Sequence, residues 1–161
     1  MDIYIDSNVI VSSEIETEDN YDESKTFMGY VLENASSKVT FYTSIFTFVE
    51  LSSAMIRRTN NRHRAYSLTY RIRNSWKKAI KPLPPLPTKR RASFTALVDE
   101  LIETSIQYFT PSADTIHAQT IATHDIDYLV TWNKKHFSSL EQQIPNLTVL
   151  TPTEMLQELE K

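Results

Sequence analysis

The stretch that most constrains the fold is Ile3-Tyr4-Ile5-Asp6-Ser7-Asn8. Ile3, Tyr4 and Ile5 favour strand, and a short apolar run bounded by polar residues suits a strand covered on both faces. The run stops at Asp6, and the residues that follow, Ser7 and Asn8, are good helix starters. A buried strand passing straight into a helix is the first half of a parallel α/β unit. A carboxylate at the carboxyl end of such a strand stands where open α/β sheets bind their ligands. Helix capping alone accounts for Asp6 equally well. The choice between the two depends on whether other acids converge on it.

The rest of the chain repeats the alternation. Val39-Thr40-Phe41-Tyr42-Thr43, Tyr128-Leu129-Val130-Thr131 and Leu147-Thr148-Val149-Leu150 read as strands, and Ile106-Gln107-Tyr108-Phe109 is expected to supply another. Helices are predicted over about 23–34, 44–58, 62–80, 93–105 and 113–124, with a turn of helix over 134–140. Thr151-Pro152-Thr153-Glu154 opens a C-terminal helix, with Thr151 as cap, Pro152 at the first helical position and Glu154 closing a capping box. The pattern predicts an α/β fold in one domain spanning 1–161, with a central parallel sheet of about five strands flanked by helices. Pro82, Pro84, Pro85 and Pro87 make a stiff internal connector.

Charge is divided unevenly. The segment from Arg57 to Arg91, helical and then proline-rich, holds twelve Lys/Arg and no acid, while the remainder carries five basic residues against all twenty acids. The net charge of −3 therefore conceals a surface suited to a polyanion, with Arg62, Arg64, Arg71 and Arg73 as candidate RNA contacts. Aromatic side chains among them (Tyr66, Tyr70, Trp76), together with Trp132, offer rings on which bases could stack, but core packing accounts for most of them, with Trp76 and Tyr70 the most open cases. Two solvated helices of opposite sign would explain the same distribution. A single glycine, Gly29, excludes Gly-rich phosphate loops. The chain has no cysteine, which excludes disulfides and thiolate metal sites and agrees with a cytoplasmic protein. No apolar run approaches the ~20 residues of a membrane helix.

Among the acids, Glu50 interrupts the otherwise apolar helical start Ile45-Phe46-Thr47-Phe48-Val49-Glu50-Leu51. If buried, it needs a partner or a cation; on the polar side of its helix it would need neither. Asp114 falls in the first turn of its helix, where it also complements the helix dipole. Asn133 follows a strand as Asp6 does. Asp125, Asp127 and Asp2 fall at the opposite strand ends and are discounted. Oxygen donors with no cysteine favour Mg²⁺ or Mn²⁺ over zinc. His117 and His124, seven residues apart, lack a third zinc ligand and read as packing or polar-face histidines. No Gly-x-Ser-x-Gly elbow supports a serine hydrolase.

Three segments in order carry a family resemblance. Ile3-Tyr4-Ile5-Asp6-Ser7-Asn8-Val9-Ile10 resembles the first motif of PIN-domain nucleases, and Ser44 through Glu50-Leu51 is similar to their second. Ala113-Asp114-Thr115-Ile116-His117, continuing to Thr131-Trp132-Asn133-Lys134-Lys135-His136-Phe137, resembles the corresponding segment of VapC-type members. The resemblance covers nearly the whole chain, least of all its basic middle. It implies a Mg²⁺- or Mn²⁺-dependent endoribonuclease, the toxin of a type II toxin–antitoxin pair, with Asp6, Glu50, Asp114 and Asn133 as the metal-binding and catalytic set. Ser7 and Thr131 are implied as supporting residues. An antitoxin protein and a second copy of the chain, in a homodimer, are the implied protein partners. Asp125 departs from the pattern, where relatives often carry glycine. The competing expectation is a PIN fold that binds RNA or protein without cutting.

Overall fold

The computed structural model describes residues 1–35, 38–88, 93–108 and 111–161. In order these form β1 (Asp2–Ile5), α1 (Ser7–Glu14), α2 (Tyr21–Asn34), β2 (Thr40–Ser44), α3 (Thr47–Thr59), α4 (Arg62–Trp76), β3 (Ile80–Leu83), α5 (Phe94–Tyr108), α6 (Ser112–Ala122), β4 (Tyr128–Val130), α7 (Lys134–Gln143), β5 (Thr148–Leu150) and α8 (Pro152–Leu159). The strands make one parallel sheet in the order β3-β2-β1-β4-β5. The chain thus has the α/β architecture that its alternating pattern predicts.

β1 is the central strand and is covered on both faces, with Ile3, Tyr4 and Ile5 fully buried. Successive side chains of a strand point to opposite faces. Accordingly, Ile3 and Ile5 pack with Val9, Phe27, Phe41 and Val130 in one cluster. Tyr4 joins Ile121, Leu129, Phe137 and Val149 in the other. The register sets Ile3 beside Phe41 and Tyr128. A slip of one residue would exchange the two faces of β1, so burial on both sides locks the strand in place.

Strand order reverses at β1: β2 and β3 lie to one side, β4 and β5 to the other. The carboxyl ends of β1 and β4 therefore flank the crevice where open α/β sheets bind ligands. Asp6 and Thr131 follow those two strands directly. Asp127 lies at the opposite end, where it accepts a hydrogen bond from the Asp2 backbone N–H at 2.7 Å.

Two expectations are corrected. Ile106-Gln107-Tyr108 is not a strand: α5 continues through Tyr108, and Phe109 lies outside the described residues. The third strand is instead Ile80-Lys81-Pro82-Leu83, within a stretch whose composition suggests the end of a helix and a proline connector. Among the described residues it is an edge strand, paired with β2 alone, and an edge position tolerates the missing proline N–H. Two stacking candidates are also structural. Trp76 is 5% exposed in the core, and Trp132 donates its indole N–H to Ser24 Oγ at 2.8 Å. The predicted capping box is present at α8, where Thr151 and Glu154 exchange side-chain-to-backbone hydrogen bonds.

Candidate active site

Asp6 ends β1 and caps α1. Its backbone N–H still pairs with Val130 O at 3.0 Å, while its side chain turns to accept from the Asn8 N–H. The carboxylate is 2% exposed. Thr131 donates its hydroxyl to Asp6 Oδ2 at 2.7 Å, and Ser7 Oγ donates to Oδ1 at 3.3 Å. Thr131 Oγ1 in turn accepts from Asn8 Nδ2 and from the Asn133 backbone N–H, each at 3.0 Å. The Asn8 side-chain Oδ1 accepts from the Trp132 backbone N–H at 3.3 Å. Asp-Ser-Asn after β1 and Thr-Trp-Asn after β4 are thereby one cross-strand network. One threonine hydroxyl, giving one bond and accepting two, is its hub.

Glu50 lies in the first turn of α3 and reaches His117, on α6, from across the sheet's end. His117 Nε2 donates to Glu50 Oε2 at 2.9 Å and stands 3.6 Å from Asp6 Oδ1. A carboxylate only accepts, so Nε2 carries the proton. The other ring nitrogen, Nδ1, is 2.7 Å from the Tyr4 hydroxyl, which projects from β1 into the second core cluster. His117 is 1% exposed. The buried imidazole thus ties both acids to the floor of the site.

The electrostatics follow from this arrangement. Burial pushes the His117 pKa down, but the hydrogen bond to Glu50 and the charges of Asp6, Glu50 and Asp114 outweigh it, and the net shift is upward. Burial pushes Glu50 up, yet its hydrogen bond and charge contact with His117, joined by a hydrogen bond from Ser7, bring it net below the usual carboxylate range. Tyr4 is held well above the usual phenol value, chiefly by burial and then by the charge of Asp6.

Asp114, in the first turn of α6, pairs with His136 Nδ1 at 2.7 Å. Its carboxyl is raised by burial, against the pull of the His136 hydrogen bond, and Asp6's charge raises it further. Asn133 is exposed at the start of α7, where it gives no side-chain cap to the helix. Its backbone N–H joins it to the network through Thr131. The fold thus brings the four sequence candidates to one edge of the sheet, with Glu50 and Asp114 each held by a histidine.

In chemistry the donor set fits a hard cation. Asp6 is a buried carboxylate contacted by two hydroxyls, a backbone N–H and one imidazole, and Glu50, Asp114 and Asn133 are the further oxygen donors at this edge. As the side chains are oriented, no three His, Asp or Glu groups among the described residues close on a common point. His117 and His136 were missed in the sequence as parts of the site. The His-Phe after Asn133 and the His three residues after Asp114 were visible there. Their partners were not, because Glu50 reaches His117 only through the crossing of distant elements.

No family model matches the sequence, and no curated protein matches it. The fold matches solved structures. A chain of the VapBC2 structure from Rickettsia felis, bound to a DNA fragment from its promoter, superposes with a TM-score of 0.58 at 17% identity, covering 94% of this chain and 98% of that one. A chain of VapBC-1 from nontypeable Haemophilus influenzae gives 0.58 at 15% identity, covering 95% and 99%. The chain shares its fold with these chains of two VapBC structures.

Proposed function

We propose that the protein is a divalent-cation-dependent endoribonuclease and the toxin of a toxin–antitoxin pair. The observation that carries this reading is the buried Asp6 carboxylate at the switch point of the sheet, with Glu50 sharing the His117 imidazole and Asp114 close enough to feel Asp6's charge. Asp6, Glu50, Asp114 and, through its side-chain carbonyl, Asn133 would hold Mg²⁺ or Mn²⁺. Such an ion supplies charge stabilisation to a phosphodiester oxygen and lowers the pKa of a bound water.

The chain's own residues do the positioning. Thr131, Ser7 and the Asn8 N–H fix the Asp6 carboxylate at the mouth of the crevice. His117, braced by Tyr4, fixes Glu50. Carboxylates fixed in this way cost little reorganisation when charge develops beside them. The toxin assignment is supported by the likeness to chains of two VapBC structures. An antitoxin protein is the proposed partner, with RNA the proposed substrate and a homodimer the proposed assembly.

Incubating the purified chain with single-stranded and structured RNAs, with Mn²⁺ or Mg²⁺ and with chelator, tests the reading. Cleavage that appears with the ion and stops with chelator is the expected result. Binding of RNA with no cleavage under any of these conditions would favour a non-catalytic PIN-fold binding module instead.

A further inference from the structure

The basic middle of the chain resolves into two sides of α4. Arg71 faces the end of α1, standing 3.6 Å from Glu14, and with Arg64 it lines a groove bounded by residues of α1, α2 and α3. Arg62, Tyr66, Tyr70 and Arg73, with Lys77 at the C-cap, lie elsewhere. At 3.6 residues per turn they share an arc of roughly 80°. All five are exposed. Tyr66 and Tyr70 are 64% and 44% exposed, and their ring centroids are 4.4 Å apart at 36°. Among the described residues Arg62, Arg73 and Lys77 form no ion pair, and α4 contains no acid.

We propose that this face of α4 is a stacking platform for single-stranded RNA. The inference rests on the reading of RNA as substrate, and it adds a surface that reading does not use. A tyrosine pair spaced i, i+4 stabilises a helix by only about 0.2–0.5 kcal/mol, and two large rings left in water on a cationic stripe need a stronger reason. Arg62 and Arg73 flank the pair about 16 Å apart along the axis, a length that spans several nucleotides of an extended strand. Cations track the phosphates while ring faces accept unstacked bases. A duplex hides its base faces, so the platform selects single strands. An acidic protein segment would use the cations but has no need of the paired rings.

The test is fluorescence anisotropy with the full chain, a labelled single-stranded oligoribonucleotide and chelator present, so that binding is read without cleavage. Tyr66→Ala/Tyr70→Ala is expected to weaken binding about tenfold per ring. Tyr66→Phe/Tyr70→Phe should retain it. Arg62→Ala/Arg73→Ala should flatten the dependence of log Kd on log salt by about 0.7 for each lost phosphate contact. Unchanged affinity in the alanine pair would overturn the proposal. So would equal loss of affinity for a blunt duplex, or polyglutamate competing as well as the oligonucleotide with no effect of the tyrosine changes. Cleavage by the wild type, assayed in parallel with Mn²⁺, separates the two readings. Tyrosine-dependent binding without cleavage would sink the nuclease reading alone, and cleavage with tyrosine-independent binding would sink the platform alone.

Discussion

Asp6→Asn is expected to lower kcat/KM for RNA cleavage by about a hundredfold to a thousandfold, at the scale of a cation's several kcal/mol of charge stabilisation. The fold should survive. Asparagine retains an oxygen for the Thr131 hydroxyl, which stands 2.7 Å from Asp6 Oδ2, and it removes a buried negative charge whose desolvation opposes folding. The variant should therefore melt close to the wild type while losing activity and cation affinity together. Thermal melts and single-turnover cleavage, run on one preparation, read both effects. An active Asp6→Asn variant would remove this carboxylate from the chemistry.

His117→Ala is expected to show the largest loss of stability. The imidazole is 1% exposed and bonds Glu50 on one side and Tyr4 on the other. Removing one partner from a buried charged network typically costs ~3–5 kcal/mol. Glu50's side chain is 23% exposed and water can replace its bond, whereas Asp6 and Tyr4 are sealed from water, so a cost of about 3 kcal/mol is expected, at the lower end. For a chain of this length each kcal/mol corresponds to roughly 2–4 °C in Tm. Denaturant titration checks the value. A loss under ~1 kcal/mol, within the range of an ordinary hydrogen bond, would mean that the imidazole does not hold the floor of the site.

Much of this was legible in the sequence because it is local. Ile3-Tyr4-Ile5-Asp6 announces a buried strand and its end through composition alone, and Thr151-Pro152-Thr153-Glu154 specifies its own cap. The strand Ile80-Lys81-Pro82-Leu83 was not legible, since proline argues against a strand unless the strand lies at an edge, and edge position is a property of the whole sheet. Ile106-Gln107-Tyr108 misled in the opposite sense. Its β-branched and aromatic residues favour strand, but α5 carries the helix through them. His117 illustrates the limit for the site. Its spacing from Asp114 is visible, whereas its bonds to Tyr4 and Glu50 span 113 and 67 residues, and no local pattern encodes them. The basic segment was legible as charge only. The division of α4 into a face turned toward Glu14 and a face bearing Tyr66 and Tyr70 required the helix to be placed.

Whether the three acids share a cation is read from a crystal soaked in Mn²⁺ and measured at a wavelength where manganese scatters anomalously. A peak bound by oxygens of Asp6, Glu50 and Asp114 is the expected result. A map with no peak there at saturating Mn²⁺, with Glu50 still bonded to His117 and Asp114 to His136, would contradict it.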